Sequence, residues 1–189
     1  FRLRCMYCRM ESPLRDPAEL AGKKVAVHRY NATTPVWLKG ILQNEFGVKP
    51  SNIEWHVAEP DIAEEAQRPP PPEIRVRFIS PPRTREHAIE LVERGEIAAA
   101  LEPYPLHSNP NMRYLMQDFR RAEKEFFRRT GAYTINHLFV LREESAKAYP
   151  EIVKSLLVAL REANSVADRY RDEKQKSEAA WEREVKGRK

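Results

Sequence analysis

The stretch VAVHRYNATTPVWLKGILQNEFGVKP, residues 25–50, passes from a short apolar strand through a polar turn into an amphipathic helix. Residues 25–28 are nearly all apolar, as in a strand buried on both faces of an α/β sheet. Thr34 reads as the N-cap and Pro35 as the first helical residue, where its missing N–H costs nothing. Trp37, Leu38, Ile41, Leu42 and Phe46 then share one helix face, and Gly47 closes the helix. In sheets covered by helices, ligands settle at the carboxyl ends of strands against helix N-termini. The turn HRYNATT is therefore the first candidate site.

The same alternation continues outward from this unit. Residues 1–10 read as a strand, and residues 17–21 as a single helical turn ended by Gly22. SNIEWHVAE (51–59), IRVRFI (74–79), EIAAALEP (96–103) and NMRYLM (111–116) read as further strands, with a polyproline loop at residues 69–72. A helix is expected over residues 84–94, with Ala88, Leu91 and Val92 inward and Gly95 at its end, and another over residues 119–129 before Gly131. AYTINHLFVLR (132–142) is the longest β-like run. Pro150 starts a last long helix with Ile152, Val153, Leu156, Leu157 and Leu160 inward. Strand–helix–strand alternation with short loops predicts an α/β fold, a mixed sheet flanked by helices.

Composition narrows the function classes. Of 189 residues, 41% are hydrophobic and 32% charged, with a net charge of +5. No apolar run reaches the ~18 residues of a transmembrane helix, so no membrane insertion is expected. Basic residues are interspersed with acidic ones, which speaks against nucleic-acid binding and suits a small anionic ligand. No internal repeat, G-x-G-x-x-G, P-loop or G-x-S-x-G occurs, which argues against nucleotide enzymes and serine hydrolases. Cys5 and Cys8 form C-x-x-C without a second ligand pair, and strand alternation puts them on opposite faces, so no metal site is expected. Phe1 is not an initiator Met and the chain stops in charged helix-like sequence, so both ends read as cut.

Three places carry chemistry. In HRYNATT, the Arg29 guanidinium, the Asn31 amide, the Thr33 and Thr34 hydroxyls and the N–H groups of Val36 and Trp37 are expected to converge on an anion. Tyr30 is expected to stack on a planar ligand. Plain capping by Thr34, with Arg29 facing water, fits the same letters, and Pro35 removes one N–H from the cradle. In LEPYPLH, Glu102 is a candidate base or hydroxyl partner and Tyr104 a candidate wall; a rigid crossover with a solvated glutamate is the plainer reading. His137, inside an apolar run beside Ile135 and Phe139, is expected to be partly buried and suited to proton transfer, or else a satisfied core histidine. His28, His56, His87, His107 and His137 show no metal-ligand spacing.

The stretch LAGKKVAVHRYNATTPVWLKGILQNEFGVKPSNIEW (20–55), with its T-x-x-V-W-x-x-G-I-L…G-V-x-P-S-x-I-x-W pattern, resembles the 4,5-dihydroxyphthalate decarboxylase family. The resemblance continues through ELVERGEIAAALEP, NPNMRYLMQDFRRAEKEFFRRTGAYTINHLFVLRE and AYPEIVKSLLVALREA, from Cys5 to about Tyr170. That family is related to the type 2 periplasmic solute-binding proteins. The resemblance implies two α/β lobes with a ligand between them. Residues 1–13 would be a crossover strand, 14–131 a ligand-binding lobe, and 132–189 a return strand and helix of an incomplete second lobe. Pro35, the proline-rich insert and EPYPLH depart from the family pattern, which bears on the ligand more than on the fold.

The implied activity is cofactor-independent loss of CO2 from a hydroxylated aromatic dicarboxylate. Arg29, Thr33 and Thr34 would hold the remaining carboxylate, His137 or His28 would donate the proton, and Glu102 would partner the hydroxyl. The alternative is a non-catalytic solute-binding protein serving an ABC transporter permease. A cytoplasmic location would go with the enzyme and a periplasmic one with the transport protein.

Overall fold

The computed structural model describes residues 2–61, 67–103, 109–135 and 137–186, the last of these beyond residue 170 as backbone apart from Asp172. The chain divides into two compact units, Phe1–Asn136 and His137–Lys189.

The first unit is built on six strands: β1 (Met6–Arg9), β2 (Lys24–Val27), β3 (Glu54–Val57), β4 (Val76–Phe78), β5 (Ala99–Leu101) and β6 (Met112–Tyr114). Their order is β4-β3-β2-β5-β1-β6. β2 runs parallel to β3 and β5, and β3 parallel to β4, whereas β1 is antiparallel to both β5 and β6. The sheet is therefore mixed, as expected. Among the described residues this unit has three helices: α1 (Thr33–Phe46), α2 (Arg85–Glu93) and α3 (Phe119–Thr130).

Alternation along the strands sorts two cores. Val25, Val27, Trp55, Val57, Ala99 and Leu101 pack with Leu38, Ile41 and Leu42 of α1, and Phe119, Ala122 and Phe126 of α3 join at the margin. Ala26 and Ala100 face the other way, against Ala88, Ile89, Leu91 and Val92 of α2. Two alanines at neighbouring positions of β2 and β5 let α2 approach the sheet closely.

Local chemistry sets the element ends. Gly47 and Gly131 cap α1 and α3 at φ 68° and 64°, a conformation that a Cβ disfavours. Asp16 and Glu19 form a capping box around the 3-10 turn Pro17–Leu20. Thr84 caps α2 by accepting from the His87 N–H at 3.2 Å.

Several expectations are corrected. Residues 1–10 are not one strand: Leu3–Cys5 is a 3-10 turn before β1, so Cys5 lies outside the alternation, and both cysteines are buried and unbonded to each other. α1 begins two residues earlier than expected, at Thr33 rather than Pro35. The Ala32 carbonyl accepts from the Val36 N–H at 3.1 Å, which makes Ala32 the N-cap and consumes a donor expected to face a ligand. Residues 132–142 form no strand among the described residues.

The second unit holds α4 (Glu143–Ala148) and α5 (Pro150–Lys186). Of the apolar residues expected inward on α5, Leu156 and Leu160 are half-buried, whereas Ile152, Val153 and Leu157 are exposed, and Leu138, Phe139 and Val140 before α4 are at least 73% exposed. His137 is exposed too, against the expectation of a partly buried ring. Among the described residues no helix is long and apolar enough to cross a membrane.

Candidate functional site

The parallel pairing of β2 with β5 matches Val27 to Leu101. The next residues, His28 and Glu102, thus leave the same sheet edge side by side. Two-residue periodicity gives them the face of Ala26 and Ala100, toward α2. Arg85, the first residue of α2, meets them there: its Nε lies 3.0 Å from Glu102 Oε2, and the Glu102 side chain is only 4% exposed. The positive end of α2 further suits a carboxylate at this place. His28, Arg85 and Glu102 line a cavity of about 10 Å³, floored by Ala26, Ala88 and Ala100. That is room for one water and not for an aromatic ring.

His28 lies with Nε2 3.5 Å from Glu59 Oε2, while its buried Nδ1 has no partner among the described residues. A carboxylate on one ring nitrogen orients the imidazole and leaves the other for a ligand, a water or a proton. Arg29 follows half-buried at the strand end.

The rest of the turn serves the scaffold more than an open cradle. Tyr30 is buried, with its ring centroid 5.7 Å from that of Trp55 in a T-shaped pair and the Lys39 ammonium 3.3 Å above its own ring. Its face is covered, so stacking on a ligand is corrected to packing. Burial, with Asp61 nearby, pushes the Tyr30 hydroxyl up to about 12 and, against Asp61, the Lys39 ammonium down to about 8. Asn31 donates from its backbone N–H and its amide to the two Asp61 oxygens, at 3.0 and 2.8 Å, and from its amide to the Arg68 carbonyl at 2.8 Å. It clasps the neighbouring loop. Thr33 is exposed at the start of α1, but Thr34 is buried, and its Oγ1 accepts from Arg2 Nη1 at 2.8 Å.

Of the residues expected to act together, His28 and Glu102 are brought into one cluster. His137 belongs to the other unit, and Tyr104 lies outside the described residues. Arg85 and Arg2 were missed. Arg85 carries a weak signal, as a basic residue directly after the N-cap Thr84, where acidic residues are favoured; Arg2 carries none. Among the described residues no cluster of His, Cys, Asp and Glu has the makings of a metal site. A larger open groove of about 500 Å³ lies between α1 and α3, walled by Trp37, Ile41 and Phe126 and crossed by the Arg129–Glu45 ion pair. Its lining is mainly apolar and includes Val36 and Trp37 from the expected cradle but none of the candidate catalytic residues.

Two curated proteins are similar to this chain. It is 28% identical over 174 residues to the 4,5-dihydroxyphthalate decarboxylase of Comamonas testosteroni, covering 88% of this chain and 52% of that protein. It is 26% identical over 135 residues to the 4,5-dihydroxyphthalate decarboxylase of Pseudomonas putida, covering 68% of this chain and 51% of that protein. The chain thus spans about half the length of the curated relatives it matches. No family model matches it.

Proposed function

We propose that the chain is the acid-binding part of a decarboxylase that acts on a hydroxylated aromatic dicarboxylate of the 4,5-dihydroxyphthalate type. The observation that carries this reading is the convergence of His28, Glu102 and Arg85 at the carboxyl ends of two adjacent parallel strands. The names of the two similar proteins supply the substrate class.

The ring lies at the mouth of the small cavity. The ring hydroxyl opposite the departing carboxylate donates to Glu102, which Arg85 holds in place, and electron density moves from that oxygen into the ring. His28 delivers a proton to the ring carbon that bears the carboxylate. The C–C bond then breaks, its electron pair restores the aromatic ring, and CO2 leaves. One proton enters and one CO2 departs, so the hydroxyl itself is the electron source and no cofactor is required by the balance. Arg29 and Thr33 stand near the carboxylate that stays. His28 is preferred to His137 as donor because it shares the cluster with Glu102.

The same reading extends to architecture. Residues 1–13 are proposed as a crossover segment, 14–131 as a lobe like that of type 2 periplasmic solute-binding proteins, and 132–189 as a return segment and helix of a second lobe.

The test is CO2 release from 4,5-dihydroxyphthalate by the full-length protein. His28→Asn is expected to lower kcat by about 10²-fold or more with little change in KM, the usual loss for a missing acid–base group. Undiminished turnover in this variant overturns the role of His28. Binding without any CO2 release in the wild type replaces the enzyme with a solute-binding protein.

A further inference from the structure

Among the described residues, Arg2 is a buried charge with no opposite charge paired to it. The residue is 7% exposed and precedes β1 at the edge where β2 and β5 end, since Met6 pairs with Leu101. Its Nη1 donates to Thr34 Oγ1 at 2.8 Å, and its other polar neighbour is the Cys5 thiol, which burial pushes up and so keeps neutral. Its Nε is buried without a hydrogen-bond partner, and no carboxylate pairs with it among the described residues. A buried guanidinium normally has a counter-charge or a full set of acceptors.

The start of α1 lies at the same spot, because Thr34 is its second residue. This helix is 14 residues long, has no acidic residue in its first turn, and has an N-cap, Ala32, that offers no side-chain oxygen. The N–H groups of Thr33 and Thr34 therefore belong to the unsatisfied first turn and carry the positive end of the helix dipole. An unpaired guanidinium and an uncapped helix start meet around one hydroxyl.

We propose that Arg2 and the first turn of α1 form an oxyanion site that takes one carboxylate of the ligand. The guanidinium fork offers Nε and an Nη group to the two carboxylate oxygens, and Thr34 fixes the guanidinium plane. This rests on the acid-ligand reading above but moves the principal grip from Arg29 to Arg2. Sulfate shares the chemistry, so the probes separate an oxyanion site in general from one for aromatic acids.

The experiment is thermal unfolding and titration of the full chain with phthalate, which lacks the hydroxyls needed for turnover, and with sulfate. Phthalate is expected to raise the melting temperature of the wild type in a saturable way. Arg2→Met is expected to abolish that rise and, without oxyanions, to melt at or above the wild type because an orphan charge is gone. Arg2→Lys, which keeps the charge and loses the fork, is expected to bind phthalate at least ten-fold more weakly. Equal phthalate affinity in wild type and Arg2→Lys overturns the site while leaving the acid-ligand reading intact. A response to sulfate but not to phthalate, lost in Arg2→Met, keeps the site and removes the aromatic acid. No response of the wild type to either anion, or a loss of the fold in Arg2→Met with wild-type affinity in Arg2→Lys, makes Arg2 purely structural.

Discussion

Two arginines flank β1, each beside a buried cysteine, and the fold treats them oppositely. Arg113, on β6 opposite Cys8, donates to the carbonyls of Met10, Tyr114, Leu115, Ser12 and Leu14 at 2.6 to 3.4 Å. It sews the loop after β1 to the sheet and has little capacity left. Arg2, beside Cys5 at the other end of β1, has a hydroxyl, a thiol and an idle Nε. Between these extremes stands Arg85, whose charge is met by the Glu102 carboxylate. A cation saturated by backbone carbonyls is a structural part. One left short of acceptors beside a helix start is in a position to take something from outside.

The comparison breaks first at Arg113. Arg113→Ala leaves several partly buried carbonyls without their donor and is expected to destabilise the chain by about 4 kcal/mol in urea unfolding. A loss below about 1 kcal/mol would mean that water replaces the clasp and that saturation says nothing about role. Arg85→Met comes next, because it takes the guanidinium away from the buried Glu102 carboxylate in a site with little water. A loss of about 3 kcal/mol is expected, set against a neutral or favourable effect for Arg2→Met. Similar losses for both arginines would erase the contrast between paired and unpaired charge.

Lys39 sharpens the comparison by pH. Burial holds its ammonium at about 8 in the folded chain against 10.5 otherwise. Between those values the unfolded chain carries the extra proton, so stability rises with pH across that window. Below about pH 8 both states are protonated and the folded chain bears the whole penalty of the buried charge. Relative to Lys39→Met, the wild type should therefore gain about 1–2 kcal/mol from pH 8 to 10.5, after allowance for partial exposure. A flat difference would show that the contact with the Tyr30 ring holds the charge at no cost. The Tyr30 hydroxyl, raised to about 12, works the other way, costing stability as pH climbs from 10 toward 12.

The smallest effect concerns the thiols. Burial raises Cys5 despite Arg2, and Cys8 despite Arg113. Neither should react measurably with a disulfide reagent at pH 8 until the chain unfolds. A Cys5 that reacts in the native chain would show that Arg2 already acts on it as a counter-charge.

Much of the scaffold was legible because its signals are local. The helix face of Leu38, Ile41 and Leu42, the glycine stops at Gly47 and Gly131, and the alternation that sends Val25 and Val27 one way and Ala26 the other all follow from nearby letters. The run at 132–142 misled for a related reason. Its β-branched and aromatic residues express a preference that needs a partner strand to become structure. Within the site, His28 and Glu102 were readable as polar residues ending apolar strands. Their adjacency was not, because it depends on the register of two strands more than seventy residues apart in the chain.

The amino-acid order by itself determined most of the segments that become strands and helices, where most of them stop, and that polar groups gather at the strand ends, since each depends on neighbours within a few residues. Tertiary structure alone decided which charges meet an opposite charge. It put Arg85 on Glu102, covered the Tyr30 ring with Lys39, and brought Arg2 across 32 positions to Thr34 with no carboxylate paired to it among the described residues. The reason is physical. Backbone preference is a property of short stretches, whereas the electrostatic state of a buried group is set by what packs against it, and that is chosen only when distant parts of the chain close around it.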